Sequence, residues 1–398
     1  MPLQSSYIRD TNWVEGFNFL ITPKPQQNEL LSSWLTRVAF AHGMTLNNFF
    51  SRFIRHDGTA LTRTDIDFQY NPKLWNALAE KSKIDIKTIQ NLSLRSEEGY
   101  LFTCNECLYP PTQIRKLVDR RTHFGLMYCP KCLEEDEHPY FRQEWRYLFY
   151  NACSKHGIYL KDRCGICFER VRLRKMSIDN KIIFCHKCKR DLSQTTPTKV
   201  LEEYSEGLEA ISWFQNGLKN GYFTIENTKV SSLVIFQAYT HLRHLINGQK
   251  NLKLDSFSIL ESYKELCKKL QHYNSKKCGP IYKDFFLTTM VYYLFQNYPN
   301  NIQKFADENN LTHRDFVHEF QDMPFWYKST IENIIPMQNT VGREISECEV
   351  IETIKYLNKL KIKITQKSVA EIIGCHSSIN KSFVKIYKQI TVTAKHQL

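Results

Sequence analysis

Cys129-x2-Cys132, Cys153-x2-His156, Cys164-x2-Cys167 and Cys185-x2-Cys188 place four pairs of metal-type ligands within sixty consecutive residues. One such pair arises readily by chance, but four in succession do not. Read in order they make two complete tetrahedral sets, one of three cysteines and a histidine and one of four cysteines. Zinc suits both, because it has no d-electron geometry preference and accepts four soft or borderline ligands as a closed structural site. Two Zn2+ per chain are therefore expected. An earlier pair, Cys104-x2-Cys107, leaves a second grouping open, in which Cys104, Cys107, Cys129 and Cys132 share one ion. That grouping would strand Cys153 and His156, so the later one is preferred and Cys104 and Cys107 are left unassigned, a metal-free, partly buried thiol pair being favoured over a further metal contact.

The spacing also constrains architecture. A small metal module lacks a large core, so its metal must supply much of its stability, roughly 10–16 kcal/mol apparent per site. Residues 164–190 fit a ribbon: a knuckle, a strand at Val171–Leu173, a turn near Asp179-Asn180, a strand at Ile182–Phe184 and a second knuckle. On either side the texture is helical. Leu30, Leu31, Trp34, Leu35, Val38 and Ala39 recur at helical spacing up to a C-cap at Gly43. Leu46, Phe49, Phe50 and Phe53 begin another helix, and Leu74–Ala79 with Ile84–Leu92 read as a short helical pair turning at Ser82-Lys83. Beyond about residue 200 the periods of Leu208, Ile211 and Phe214, of Ile235, Tyr239 and Leu242, and of Phe285–Phe295 predict helices again.

The predicted fold is thus mainly α with a small zinc-stabilised, β-containing module. A helical, helix-turn-helix-like N-terminal domain spans 1–100, a tandem zinc-finger module 101–195, and a helical C-terminal domain 196–398. The chain has 398 residues, which suits two or three domains, and its 42% apolar content argues against disorder throughout.

Charge narrows the partner. The 54 Lys and Arg exceed the 41 Asp and Glu by 13, which favours a polyanion, nucleic acid before membrane. No stretch reads as a signal peptide and no apolar run reaches the roughly 18 residues of a membrane span. The expectation is an intracellular chain whose thirteen cysteines are thiols or ligands rather than disulfides. Cys267, Cys278, Cys348 and Cys375 stand singly and read as small buried hydrophobes.

Catalysis is not expected. A catalytic zinc keeps an open position, and both sets are filled by protein ligands. There is no His-x-Glu before Cys129-Pro130-Lys131-Cys132, no His-Glu-x2-His, no phosphate-binding Gly-x4-Gly-Lys loop and no Gly-x-Ser-x-Gly elbow.

Two strings carry a family likeness. The first is Tyr128-Cys129-Pro130-Lys131-Cys132-Leu133, Pro139-Tyr140-Phe141-Arg142, Trp145, Cys153-Ser154-Lys155-His156-Gly157, Leu160 and Cys164. The second is Pro23-x-Pro25, Glu29-Leu30-Leu31-Ser32-Ser33-Trp34-Leu35-x-Arg37, Ala39 and Gly43. Together, over about residues 20–195, they resemble the TniQ family of transposon target-selection proteins, which includes the TnsD branch. The resemblance implies a TniQ-type N-terminal domain and a bacterial, cytoplasmic adaptor, nucleoid-associated when bound to DNA. It implies recognition of a target directly or through a CRISPR–Cas Cascade-type effector with its guide RNA, and recruitment of an AAA+ regulator and transposase. A homodimer fits the effector-dependent mode. Trp34, Arg37 and Trp145 are then packing or positioning residues.

The C-terminal end reads as a helix-turn-helix at about 364–390. Ala370 and Gly374 stand where a tight helix contact and a turn belong. Nine lysines and one acidic residue follow from Lys355 to the end. Thr365, Gln366, Ser377, Ser378, Asn380, Lys381, Lys385 and Lys388 are the expected DNA contacts. Two other classes compete with target selection. One is a zinc-containing transcription regulator unrelated to transposition, and the other is a metal-dependent nuclease.

Overall fold

The computed structural model describes residues 18–54, 65–104, 110–117, 125–178, 182–248, 275–317, 323–335, 345–374 and 380–395. These residues are mainly helical, with two short antiparallel hairpins. The chain divides into two compact units. One is Met1–Asn309 with Asp322–Lys328, and the other is Asn310–Gln321 with Ser329–Leu398.

The first unit opens with α1 (Leu31–Ala41), α2 (Leu46–Phe53), α3 (Pro72–Ser82) and α4 (Ile86–Asn91). Leu31, Trp34, Leu35 and Val38 on α1 meet Phe49 and Phe50 on α2 and Leu74, Trp75 and Leu78 on α3 in one core. The turns follow local chemistry. Thr45, Asn71 and Asp85 cap α2, α3 and α4 with side-chain oxygens, and Lys83 takes the left-handed conformation that ends α3. Trp34 donates to the Pro23 carbonyl at 2.9 Å, and Arg37 forks onto buried Glu29, so both residues hold the chain entry in place.

The metal-ligand region follows. Here α5 (Pro130–Glu135) leads to a hairpin of β1 (Ala152–Cys153) and β2 (Ile158–Tyr159), with Ala152 opposite Tyr159 and Cys153 opposite Ile158. The predicted ribbon strands are a correction. Val171 accepts a backbone bond from Leu126, residues 173–175 form a 3-10 turn, and Phe184 makes a single bridge to Asp191. The backbone here bonds outward instead, Val171 with Leu126 and Asp162, and Ile183 with Leu192, so the two predicted strands pair with other segments. The predicted turn at 179–180 lies outside the described residues.

Buried charges bind this region to its neighbours. Arg146 donates to Asp65 at 2.6 Å and Asp67 at 3.2 Å, and Asp67 in turn accepts the Ser32 amide of α1. Burial, then the neighbouring Asp65, pushes the Asp67 carboxyl up to about 6, against the pull of Arg146. On the other side Arg115 donates to Asn151 and to Asp284. Asp284 also accepts from Arg243.

Asp284 and Arg243 belong to the helices beyond: α6 (Ser205–Asn220), α7 (Ser232–Gly248) and α8 (Ser275–Phe295). A Cβ at Gly207 would run into the Phe285 ring, so glycine lets α6 lie close on α8. Between α6 and α7 stands an unforeseen hairpin of β3 (Tyr222–Ile225) and β4 (Thr228–Ser231). Glu226 and Asn227 both have positive φ, the backbone of a two-residue hairpin turn, and Phe223, Ile225 and Val230 turn inward. The chain continues through α9 (Asn300–Glu308), α10 (His313–Val317) and α11 (Phe325–Ile334).

In the second unit α12 (Glu347–Lys359), α13 (Gln366–Ile373) and α14 (Lys381–Lys395) share a core of Val350, Leu357, Val369, Ala370 and Phe383. Cys348 is exposed, not buried as expected, because it falls in the first turn of α12 away from that core. Cys104 is a second correction: it is buried and disulfide-bonded, which removes it from any ligand set. Cys107 lies outside the described residues. No helix among the described residues is long and apolar enough to cross a membrane.

Candidate metal centres and nucleic-acid face

Each centre is assembled by loops that the ligands themselves shape. In the first set Cys129 is the N-cap of α5, its sulfur accepting the Cys132 amide at 3.4 Å, with Pro130 at the first helical position. Cys153 ends β1, and the amides of His156 and Gly157 fold back onto its carbonyl. The turn thereby aims Cys153 and His156 toward α5. Cys129, Cys132 and Cys153 sulfurs each lie 3.4 Å from His156 Nδ1, and the Cys132 and Cys153 sulfurs are 3.7 Å apart.

The second set is built from two matched loops. Phe168 donates to the Cys164 carbonyl and Lys189 to that of Cys185; Cys164 donates to the Glu169 carbonyl and Cys185 to that of Arg190. Both residues that follow the pairs, Phe168 and Lys189, have positive φ, 56° and 62°. That conformation costs an L-residue about 1–2 kcal/mol. Cys164 meets Cys188 at 3.5 Å and Cys167 meets Cys185 at 3.6 Å.

These spacings test the fit to a metal. A tetrahedral ion at ordinary zinc bond lengths sets two sulfurs roughly 3.8 Å apart, and a sulfur and nitrogen roughly 3.6 Å apart. Both sets come close to those edges, and in each the four donor atoms lie within 4.8 Å of one another. The thiol chemistry agrees. Hydrogen bonds to Cys129 and then Cys153, with burial, hold Cys132 well above the usual thiol range, while Cys153 is held well below it by Cys129 and Cys132. Three sulfurs this crowded share protons unless a cation replaces them. The two sets could hold metal ions and are compatible with zinc.

One contact absent from the sequence reading completes the first set. His156 Nε2 donates to Glu135 at 2.9 Å, and Lys155 donates to the other Glu135 oxygen at 2.6 Å. A carboxylate behind a ligating imidazole fixes its tautomer and raises its basicity. The spacing of Glu135 from Cys132 carries no such signal; it depends on where α5 stops relative to the β1–β2 turn. Trp145 is fully buried, edge-on to Phe141 at 5.8 Å, with Arg142 over its ring at 5.0 Å. It braces the segment between the two ligand pairs of this set.

The expected DNA contacts fall into separate settings. Lys381, Lys385 and Lys388 are exposed along one side of α14, whose Phe383 fills the core opposite. Thr365 caps α13 through Ser368, Gln366 opens that helix, and Gly374 closes it with φ +75°. Asn380 is corrected: it is buried, and its Oδ1 caps α14 by accepting from the Phe383 amide at 3.0 Å. Ser377 and Ser378 lie outside the described residues.

Residues 20–160 match the family model TniQ. The match includes Cys129, Cys132, Cys153 and His156 and ends before Cys164, so it is shorter than the resemblance over 20–195. No curated protein matches the chain. A TniQ domain fits a transposition-associated target-selection protein, a setting of DNA and transposition machinery.

Proposed function

We propose that this protein selects target DNA for transposition as a non-catalytic adaptor, with zinc in both ligand sets and α13–α14 as its DNA-reading helical pair. The observation that carries DNA contact is the side of α14 that presents Lys381, Lys385 and Lys388 outward while Phe383 anchors the opposite side. A helix so anchored can lie in a major groove with α13 crossing the backbone, the usual placement of a helix-turn-helix. Cys129, Cys132, Cys153 and His156 would hold one zinc and Cys164, Cys167, Cys185 and Cys188 the other. Closed four-ligand zinc supplies folding energy and leaves no position for a reacting water. Having engaged its target, the protein would recruit an AAA+ regulator and through it the transposase. The TniQ domain favours this reading over an unrelated transcription regulator or nuclease.

The test is selection of bound duplexes from a random DNA pool by zinc-loaded protein at near-physiological salt. One enriched motif is the expected result and makes the chain its own target reader. Salt-sensitive binding without enrichment would overturn direct reading and assign target finding to a separate effector, such as a guide-RNA complex. Replacing Lys381 and Lys385 with Ala should flatten the dependence of log affinity on log salt by about 0.9 per lost phosphate contact; an unchanged slope would mean that α14 does not touch DNA.

A further inference from the structure

The tip of the second ligand set is divided by chemistry. Its two loops superpose in pattern, so Ile166 matches Lys187, Phe168 matches Lys189 and Glu169 matches Arg190. One loop therefore presents apolar side chains, Ile166 at 68% exposure and Phe168 at 45%, and the other presents cations. The paired sulfurs hold the loops face to face, and Lys187 reaches across to Glu169 at 3.8 Å. That pair is solvated and therefore weak. Lys189 donates to Ser177, which leaves Lys187 and the exposed Arg190 as the cations best placed for an anion. Phe168 takes a left-handed backbone at the knuckle, and its side chain is 45% exposed rather than part of the core.

We propose that this tip is a second nucleic-acid contact, one that takes an unpaired or splayed-out base. Phe168 and Ile166 form the platform on which a base stacks, and Lys187 and Arg190 meet the adjoining phosphates. A flat π-face beside paired cations is the shared requirement of single-strand binding surfaces. A duplex offers no free base face, so the tip favours single strands. The proposal extends the DNA-binding reading but stands on other residues than α14, in a part of the chain beyond the TniQ match.

The test measures binding of a mixed-sequence single-stranded DNA 12-mer, and of a duplex, by the full zinc-loaded chain. Phe168→Gly removes the ring where a positive φ suits glycine, so the loop should keep its shape and its zinc. Its single-strand affinity should fall about tenfold, the range of one lost base–aromatic stack, with duplex affinity unchanged. Lys187→Ala with Arg190→Ala should lower the single-strand salt slope by roughly 0.7 per contact. The Lys381 and Lys385 substitutions should do the reverse, weakening duplex binding alone, so either nucleic-acid reading can fail without the other. Wild-type single-strand affinity in Phe168→Gly, at unchanged zinc content, would overturn the proposal. So would loss of self-association in that variant with single-strand binding intact, which would assign the patch to a second copy of the chain.

Discussion

The two ligand sets share a spacing and a geometry but not a setting. In the first, three of four ligands are buried, the imidazole leans on Glu135, and the intervening segment is tied into the helical core. Leu30 donates to the Phe141 carbonyl, the Phe141 amide to Ser33, and Gln143 to the carbonyls of Asn28 and Asn91. In the second, Cys167 and Cys188 are half-buried, and the loops around them end in side chains that face water. The first set also lies inside the TniQ match and the second beyond it. The same coordination chemistry thus serves once as a keystone and once as a mount for a surface. What distinguishes the two is the surroundings of the ligands rather than the ligands themselves.

The sharpest way to break this contrast is to remove one ligand from each set. Cys153→Ser should forfeit much of the roughly 10 kcal/mol that a structural site contributes. Thermal unfolding and hydrogen exchange should then report loss of structure that spreads into α1 and α4. Cys188→Ser should lose one zinc with protection in those helices retained. Equal damage from both would end the distinction.

Arg146→Ala tests the buried tie beneath the first set. Stranding Asp65 and Asp67 without their cation should cost about 3–5 kcal/mol in denaturant unfolding, and a cost below 1 kcal/mol would show that the tie is dispensable. The same tie has a pH signature. The folded chain holds a proton on Asp67 up to about 6, where the unfolded chain releases it near the ordinary 3.8. Between those values the folded state binds more protons, so stability should fall as pH rises from about 4 to 6 and level off above, by on the order of 3 kcal/mol. Asp67→Asn should flatten that slope. The smallest effect belongs to Glu135→Gln. It should weaken zinc at the first set by about tenfold, near the lower end of outer-partner effects, in a competition titration, and leave the second set alone.

Much of this was legible in the chain. The ligand grouping followed from spacing, because pairing from Cys129 onward uses every later pair, whereas joining Cys104 and Cys107 to Cys129 and Cys132 would strand Cys153 and His156. The helical faces followed from apolar period, as at Trp34, Leu35 and Val38. What escaped depended on where elements stop. Glu135 is placed by the end of α5, and Asn380, an expected base contact, stands just before a helix, the position of a cap. The β3–β4 hairpin gives only a faint sequence signal because its strands are four residues each, although Tyr222-Phe223-Thr224-Ile225 alternates and Asn227 suits the turn. The exposure of Ile166 and Phe168 carries no signal in apolar period, because it depends on how the knuckle loop folds.

Release of zinc to a colorimetric chelator most directly tests the central claim that two metal centres serve different ends. The account predicts two zinc ions per chain leaving in two phases, the fast phase absent from Cys188→Ser and the slow phase absent from Cys153→Ser, with the fold surviving the first phase. A single phase, a single zinc per chain, or unfolding that accompanies the fast phase would contradict it.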